Sequence, residues 1–324
     1  MRLIQIVPRL PRPADGVGSH AEVLAGALSA RYGIETRFVT GADFEAEENG
    51  PVLLHYVNYG YHRRGCPTGL VAGLARWRQS GGGRLITLFH EVWATGPPWR
   101  SSFWLAPLQQ RLAAALVRLS TAMVTSLDLY GRMVHRWAGG RPVRVMPVFS
   151  TVGEPAAVPP FGKRARRMVV FGGAGVRSRT WQEEGSALAA ACRELEIEEI
   201  LDVGPPAGAP ERIGGLPVRA LGVLPAAEVG SLLLGSRAGF LSYPPPFLPK
   251  STIFAAYCAH GVAPVCSWRR RAQPAGPVPP LWRTGTDPAQ IAEQARSWYA
   301  EHTLARQAEV YREMITGPCE ERSA

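Results

Sequence analysis

Apolar and polar positions follow two alternating patterns along the chain. Short apolar runs are typical of buried strands, and longer segments with apolar residues three and four apart are typical of helices. In the first half, strands are predicted at Leu3–Val7, Thr36–Thr40, Val52–Tyr56, Arg84–Phe89, Ala122–Ser126 and Val143–Pro147, and helices at Ser19–Tyr32, Leu70–Gln79, Leu105–Leu119 and Leu127–Trp137. Strands that alternate with helices predict a parallel sheet with right-handed crossovers.

A proline-rich stretch with the basic run Lys163–Arg167 interrupts this alternation, as is typical of a domain boundary. The alternation then restarts. Strands are predicted at Met168–Phe171, Glu199–Val203, Val218–Leu221, Gly239–Tyr243 and Val262–Cys266, and helices at Trp181–Leu195, Ala226–Leu234, Asp287–Tyr299 and Leu304–Ile315. We therefore predict two α/β domains, residues 1–152 and 168–324, joined by a linker at 153–167. The terminal helices are expected to pack back on the N-terminal domain.

The segment Gly239–Val265 has the strongest indication of a ligand site. A strand there is followed by the proline-rich loop Pro244–Pro249 and by Lys250, Ser251 and Thr252, which open an apolar segment. The exposed N–H groups at a helix N-terminus attract anions, above all phosphate, and a lysine adds a mobile positive charge. We predict that these three polar residues contact a phosphate group.

Composition adds a strong basic bias. The chain has 36 Lys and Arg residues against 26 Asp and Glu, a net charge of +10 and a pI near 9.8. Genome base composition also produces arginine-rich chains, and net charge bears on partners and not on the fold. Phosphorylated substrates or an anionic membrane surface would suit this charge. No nucleic-acid-binding motif accompanies it, so no nucleic-acid partner is predicted.

Cysteine use and hydropathy predict a cytoplasmic protein. The 5 cysteines form no CxxC pair and match no zinc pattern, which predicts reduced, mostly buried thiols. The N-terminal apolar run is too short for a secretion signal, and no run approaches the ~20 apolar residues of a membrane span. Peripheral contact with a membrane is the one form of membrane association that we predict.

Two glycine-rich segments suggest loops that approach a phosphate. One precedes the first helix, and the other directly follows the first strand of the second domain. Glycine lets the backbone come close to a ligand, and a guanidinium can bind two phosphate oxygens at once. The alternatives are unliganded loops or, for the first segment, a GxGxxA dinucleotide fingerprint, although a dinucleotide site needs a tighter turn. The candidate residues are Gly16, Val17 and Gly18 in the first loop and Gly173, Arg177 and Arg179 in the second.

His90 and Glu91 follow a predicted strand and form a candidate acid–base pair. Either side chain could orient a sugar hydroxyl or exchange a proton, whereas a core histidine bonded to a backbone carbonyl is the alternative. His55 follows another apolar run and has no acidic neighbour in sequence. No set of His, Cys, Asp and Glu residues has metal-ligand spacing, so no metal site is predicted.

The segment Leu105–Val124 carries Arg111 and Arg118 among leucines. A basic amphipathic helix of this kind can lie on anionic lipid. The alternative is an ordinary domain helix that buries one face.

The motifs, in this order, resemble the GT-B glycosyltransferases, specifically the retaining, family-4-like enzymes that use sugar nucleotides. The resemblance spans nearly the whole chain and rests on DGVGSHAEVLAGALSARYGIETRFVT, FHEVW, TSLDLYGRM, VVFGGAGVR and AYCAHGVAPV. It implies two Rossmann-like domains facing a central cleft. It also implies a UDP- or GDP-sugar donor, a sugar, lipid or small-molecule acceptor, and no separate cofactor.

The resemblance also implies roles for particular residues. Gly16, Val17 and Gly18 would approach the donor phosphate, His90 would lie near the donor sugar, and Arg177 would bind the diphosphate. Gln182 stands where the family has a second basic residue, so Arg179 or Lys250 would have to serve. Two family glutamates, eight positions apart, align with Leu248 and Ala256, so both carboxylates are absent.

These observations predict transfer of a sugar from a nucleotide-diphosphate donor, with retention and without metal. The missing glutamates motivate a second hypothesis, a non-catalytic GT-B protein that binds a ligand or partners an active transferase. A nicotinamide-dependent enzyme built on the GxGxxA segment is a third and weaker hypothesis.

Overall fold

The computed structural model describes residues 1–11, 16–45, 50–94 and 96–317. These residues form two compact units. The first comprises Met1–Pro147 together with the chain from Ala305 onward, and the second comprises Val148–Leu304. Each unit contains one six-stranded sheet, so the predicted α/β class is confirmed.

The sheet of the first unit has the order β2-β1-β3-β4-β5-β6, and all neighbouring strands are parallel. Its strands are β1 (Arg2–Val7), β2 (Glu35–Thr40), β3 (Val52–Tyr56), β4 (Leu85–Phe89), β5 (Ala122–Thr125) and β6 (Val143–Val145). Every residue of β3, β4 and β5 is buried. Strands buried on both faces read as continuous apolar runs, which is why the sequence pattern predicted them.

Helices connect these strands. They are α1 (Gly16–Tyr32), α2 (Asn58–Tyr61), α3 (Thr68–Gln79), α4 (Ser101–Leu119) and α5 (Asp128–Ala138), and α11 (Leu304–Thr316) near the end of the chain belongs almost wholly to this unit. Arg84 donates a hydrogen bond to the backbone carbonyl of Met314, 2.9 Å away, which ties α11 to the start of β4. None of the helices in the described residues combines the length and hydropathy needed to cross a bilayer.

The sheet of the second unit has the order β12-β11-β7-β8-β10-β9 and is parallel except at its β9–β10 edge. Its strands are β7 (Ala165–Phe171), β8 (Glu199–Val203), β9 (Arg212–Ile213), β10 (Leu216–Gly222), β11 (Ser236–Ser242) and β12 (Ala263–Ser267). Its helices are α6 (Ala174–Glu183), α7 (Gly185–Glu194), α8 (Ala226–Leu234), α9 (Thr252–Ala259) and α10 (Pro288–Ala300), with short 3-10 helices at Phe161–Lys163 and Pro245–Lys250.

The predicted helix Trp181–Leu195 is two helices, and the first begins seven residues earlier, at Ala174. Glu184 separates them with a non-helical backbone (φ −116°, ψ 10°), and its carboxylate is bound to the end of β12 and the loop after it. It accepts hydrogen bonds from Ser267 Oγ at 2.6 Å and from the N–H of Arg269 at 3.1 Å, and the side chain is buried. Apolar periodicity alone could not show this break, because it runs through both helices.

The basic run Lys163–Arg167 is ordered structure rather than solvated linker. A strand begins within it at Ala165, three residues before the predicted start. Arg164 is buried and donates to the backbone carbonyls of Pro159 and His260, at 3.0 Å for the latter. Burial also lowers the pKa of Arg164. These hydrogen bonds tie the entry of β7 to the end of α9.

Candidate functional site

Glycines bring together two strand ends and the start of a helix in the second unit. Gly172 follows β7 with a φ of +126°, and Gly204 follows β8 with a φ of +139°. A Cβ on Gly172 would overlap the side chain of Ile253 in α9, and a Cβ on Gly204 would overlap the carbonyl oxygen of Gly172. Only glycine accepts both the backbone conformation and the contact. The three segments therefore meet at the carboxyl edge of the sheet, where open α/β sheets bind ligands.

The first turn of α6 offers backbone donors to an anion at this edge. Gly173 caps the helix without a side-chain hydrogen bond, and the first turn contains no acidic residue. Gly173 and Gly175 are exposed, and apart from the adjacent residues and the backbone of the helix itself, no atom of the described chain lies within 4 Å of a Cβ built on either one. The first N–H groups of a helix lack intrahelical acceptors and form the positive end of its dipole. This helix start has the room and the charge that a phosphate group requires.

Arg177 lies in a buried ion pair, which corrects the prediction that it binds a diphosphate. Its Nε and Nη2 each donate to the Asp202 carboxylate at 2.7 Å, and the two side chains are 1% and 3% exposed. Its Nη1 donates to the backbone carbonyls of Gly172 and Pro205. A guanidinium enclosed in this way fixes the loops after β7 and β8 instead of facing a ligand.

Arg179 is the half-buried arginine of α6. Its guanidinium carbon lies 5.1 Å from the ring centroid of Trp268, which directly follows β12, and that of Arg270 lies 5.9 Å from the same ring. Stacking on an indole fixes the plane of a guanidinium while its N–H groups stay able to donate. Arg179 is therefore a candidate phosphate ligand at the strand ends.

The start of α9 is capped by its own side chain. Ser251 Oγ accepts the N–H of Phe254 at 3.2 Å, and Ser251 is buried. This corrects the prediction for Ser251, because the hydroxyl serves as the helix cap rather than as an open phosphate ligand. Lys250 and Thr252 flank the cap and are half-buried, so they remain candidates.

Leu248 and Ala256 stand where the resemblance places glutamates, and both are fully buried in one apolar cluster of the second unit. An ionised carboxylate in either place would lose its hydration without gaining a partner. The 3-10 helix at Pro245–Lys250 and α9 therefore pack these two positions into the core, where neither presents a carboxylate to a ligand.

Three histidines meet near the carboxyl ends of the strands in the first unit. His20 lies on α1, His55 in β3 and His90 directly after β4, and their ring centroids are 5.5–5.9 Å apart. His55 Nδ1 lies 3.2 Å from His90 Nε2, and His55 Nε2 lies 2.7 Å from Oε1 of Gln5 in β1. The search for metal-ligand spacing in the sequence could not find this cluster, because each histidine comes from a different βα unit.

Burial controls the protonation of this cluster. It lowers the pKa of His20 to about 4 and holds the pKa of His55 well below its usual value, with the charge of His20 as a second cause for His55. A buried imidazole resists protonation because the charged form loses its hydration. Both rings are therefore neutral at neutral pH.

His90 and Glu91 follow β4 at the predicted place, and both are half-buried. Burial and, second, the charge of Glu91 raise the pKa of Tyr130 in α5. Gly16, Val17 and Gly18 form the first turn of α1, which begins three residues before its predicted start. Residue 15, the first of the predicted loop, lies outside the described residues.

The predicted lipid-facing segment Leu105–Val124 covers most of α4 and then continues into β5. The exposed large apolar side chains here are Trp99, Phe103, Trp104 and Leu108, of which Trp99 is 83% and Trp104 is 71% exposed. Arg111 and Arg118 are exposed farther along the helix, whereas Leu112, Leu116 and Val117 are buried. The helix thus buries one face, as the alternative prediction holds, and exposes aromatic and basic residues elsewhere.

No protein-family model and no curated protein match the chain. Solved structures do. WaaG, a glycosyltransferase involved in lipopolysaccharide biosynthesis, aligns with a TM-score of 0.55 and 11% identity over 98% of this chain and 100% of WaaG. An alpha-glucosyltransferase in complex with UDP gives 0.54 and 12% over 97% and 94% of the two chains, and S. aureus MnaA with UDP gives 0.50 and 10% over 95% and 91%.

The chain has the GT-B fold.

In this GT-B chain, the sequence did not predict two residues that hold candidate residues in place by hydrogen bonds, Asp202 for Arg177 and Gln5 for His55. Asp202 and Gln5 are polar residues flanked on both sides by apolar residues of their strands, and both are buried. A polar side chain at a core position needs a partner, so this pattern was the available signal.

Proposed function

We propose that this GT-B chain is a glycosyltransferase that moves a sugar from a nucleotide-diphosphate donor to an acceptor, with retention. The observation that supports it most is the open, glycine-lined start of α6 at the carboxyl edge of the second sheet. Two proteins of similar fold were solved with UDP. The acceptor is a glycan, a lipid or a small molecule.

In this proposal the second unit holds the diphosphate. The N–H groups after Gly173 bind the phosphate oxygens, and Arg179 and Lys250 add positive charge as the leaving diphosphate develops negative charge. Arg177 acts indirectly, because it fixes the loop that carries Gly173. Cations of the protein thus stabilise the leaving group.

The first unit supplies the residues proposed to contact the sugar. His90 and Glu91 orient its hydroxyl groups, and the first turn of α1, Gly16–Gly18, approaches the donor phosphate. His55 supports His90 through the 3.2 Å contact between their ring nitrogens. A supported ring keeps one orientation, as substrate positioning requires.

The donor is tested by saturation-transfer NMR against UDP, GDP, UMP and GMP. We expect one diphosphate to bind at least ~10-fold more tightly than its monophosphate, because the added phosphate gains charge-assisted hydrogen bonds of about 1.5–3 kcal/mol. Release of the diphosphate from its sugar nucleotide then tests transfer. The proposal is wrong if none of the nucleotides binds.

A non-catalytic GT-B protein is the second candidate function. It is favoured because Leu248 and Ala256, which align with the two family glutamates, carry no carboxylate and are buried in the core. This candidate predicts that the diphosphate binds and that no sugar is released with any acceptor preparation. The same NMR and release measurements separate the two functions.

We also propose that the N-terminal part of α4 contacts an anionic membrane. Trp99, Phe103 and Trp104 are the aromatic residues that would enter the headgroup region. No Asp or Glu occurs from Val92 to Leu127, and this stretch carries exposed arginines. Each basic residue near an anionic surface adds about 1 kcal/mol.

Vesicle flotation tests this contact. We expect the protein to float with vesicles of phosphatidylglycerol and phosphatidylcholine, and less with phosphatidylcholine alone. Trp99→Ser with Trp104→Ser should lower binding by more than ~10-fold, since the aromatic rings supply the apolar part. Val223→Ser is the matched control, because Val223 is also exposed but lies in the second unit. Equal flotation of both variants would contradict the proposal.

A further inference from the structure

We propose that His20, His55 and His90 bind a divalent transition-metal ion of the Zn²⁺ type. One nitrogen of each ring lies within 4.8 Å of the corresponding nitrogens of the other two. Three protein ligands with one open position are typical of a zinc site that also admits water or substrate. This proposal concerns metal binding alone: it shares His90 with the proposed sugar contact but includes no step of the transfer reaction.

The three rings are arranged around a common centre. Their centroids form a nearly equilateral triangle with sides of 5.9, 5.5 and 5.5 Å. Imidazoles bound to one Zn²⁺ through bonds of about 2.1 Å have centroids roughly 5–5.5 Å apart. The 3.2 Å between His55 Nδ1 and His90 Nε2 is likewise near the ~3.4 Å that separates two nitrogens of a tetrahedral site.

The three rings come from three different places in the fold, α1, β3 and the residue directly after β4. β3 is a fully buried strand, β4 is its parallel neighbour, and His20 is buried on α1. His90 is half-buried, which leaves a route for an ion. The site therefore needs small ring rotations and no rearrangement of the sheet. The His55 and His90 rings, now inclined by 18° to each other, would turn toward the common centre.

Gln5 supplies the outer contact that metal-bound histidines usually make. Its Oε1 lies 2.7 Å from His55 Nε2, and its amide nitrogen lies 3.4 Å from Thr36 Oγ1. The amide nitrogen donates to Thr36, so the amide oxygen faces His55 and accepts its Nε2–H. His55 is thereby left with a lone pair on Nδ1, the atom that faces His90. A carbonyl oxygen in this place fixes the tautomer and raises the basicity of the ligand.

The ligand chemistry selects the class of metal. Neutral imidazoles suit Zn²⁺, Co²⁺, Ni²⁺ and Cu²⁺, whereas Mg²⁺ and Ca²⁺ prefer oxygen. The hydrogen that His90 Nε2 donates to His55 moves to His90 Nδ1 when the metal takes its place, so no net proton is released.

Equilibrium dialysis of the protein without an affinity tag, against Zn²⁺ or Co²⁺, tests the site. We expect one bound ion per chain and, for Co²⁺, visible absorption of the intensity typical of four-coordinate nitrogen sites. His90→Ala should abolish both signals, and Gln5→Leu should weaken binding ~10- to 100-fold. His135→Ala is the matched control, because His135 is exposed on α5 and should leave binding unchanged.

Circular dichroism of each variant shows whether it is folded, and His90→Ala is the principal variant because His90 is the least buried of the three histidines. Binding that is absent from the wild-type protein, or that persists in both His90→Ala and His55→Asn, would overturn the proposal. Nucleotide binding in the NMR experiment is measured without added metal, so the two proposals fail independently.

Discussion

Replacing Arg177 by leucine is expected to destabilise the second unit by about 3–5 kcal/mol. The substitution leaves the Asp202 carboxylate buried without its guanidinium, and breaking one side of a buried ion pair costs about this much. It also removes the donor to the carbonyls of Gly172 and Pro205, which are half-buried residues of the two loops. Urea unfolding followed by tryptophan fluorescence measures the loss as a lower midpoint.

Two variants make this result specific. Arg166→Leu removes an exposed pair with Glu196, 3.4 Å away, and is expected to cost less than about 1 kcal/mol. The double variant Arg177→Met with Asp202→Leu removes both charges together and should recover most of the lost stability, because no charge stays buried alone. An Arg177→Leu protein with the wild-type midpoint would show that the ion pair does not hold these loops.

This result would also separate two roles of Arg177. If Arg177 were a solvent-facing ligand of the diphosphate, its replacement would lower nucleotide affinity without changing the stability of the protein. If Arg177 instead fixes the loops after β7 and β8, its replacement lowers both the nucleotide affinity and the stability. Saturating nucleotide then does not restore the wild-type unfolding midpoint. Measuring both affinity and stability in this variant therefore distinguishes the contact expected from the sequence, Arg177 to diphosphate, from the contact seen in the structure, Arg177 to Asp202.

The difference between sequence and structure at Arg177 has a physical reason. Continuous apolar runs predicted the strands well, because a parallel sheet buries both faces and requires such runs. Arg177 lies on α6, which follows β7, and its partner Asp202 lies 25 residues later on β8. Only the pairing of β7 with β8 brings the two side chains together. A guanidinium near a glycine loop looks the same in the sequence whether it faces solvent or a buried carboxylate.

The histidines illustrate the same limit. His90 could be proposed from its place after a strand, since strand ends carry ligand-binding residues in parallel sheets. The sequence could not show that His20 and His55 lie next to His90, because the spacing of residues predicts contacts within one helix or turn and not between three separate elements. Conversely, the glycine segment directly after β7 could be proposed from the sequence as a phosphate loop, but the start of α6 within it could not, because the predicted helix begins only at Trp181.

Replacing Gly173 by aspartate should have opposite effects on stability and on nucleotide binding. Gly173 has φ −64° and ψ 154°, a conformation that any residue adopts, and no described atom occupies the position of its Cβ. An aspartate there caps α6 and interacts favourably with the helix dipole, so stability should rise by about 0.5 kcal/mol. The same carboxylate repels a diphosphate. Near a protein surface a like charge at about 4 Å costs about 4 kcal/mol, so affinity should fall at least ~100-fold.

Two controls separate charge from shape in this experiment. Gly173→Ser keeps a capping side chain without the charge and should bind the nucleotide within a few-fold of the wild type. Gly69→Asp places the same charge in the first turn of α3 in the other unit, at an exposed glycine, and should leave binding unchanged. Titration calorimetry gives the affinities and thermal unfolding gives the stabilities. Wild-type affinity in Gly173→Asp would place the diphosphate somewhere other than α6, and the role of Arg179 would have to be abandoned with it, because both residues belong to the same helix.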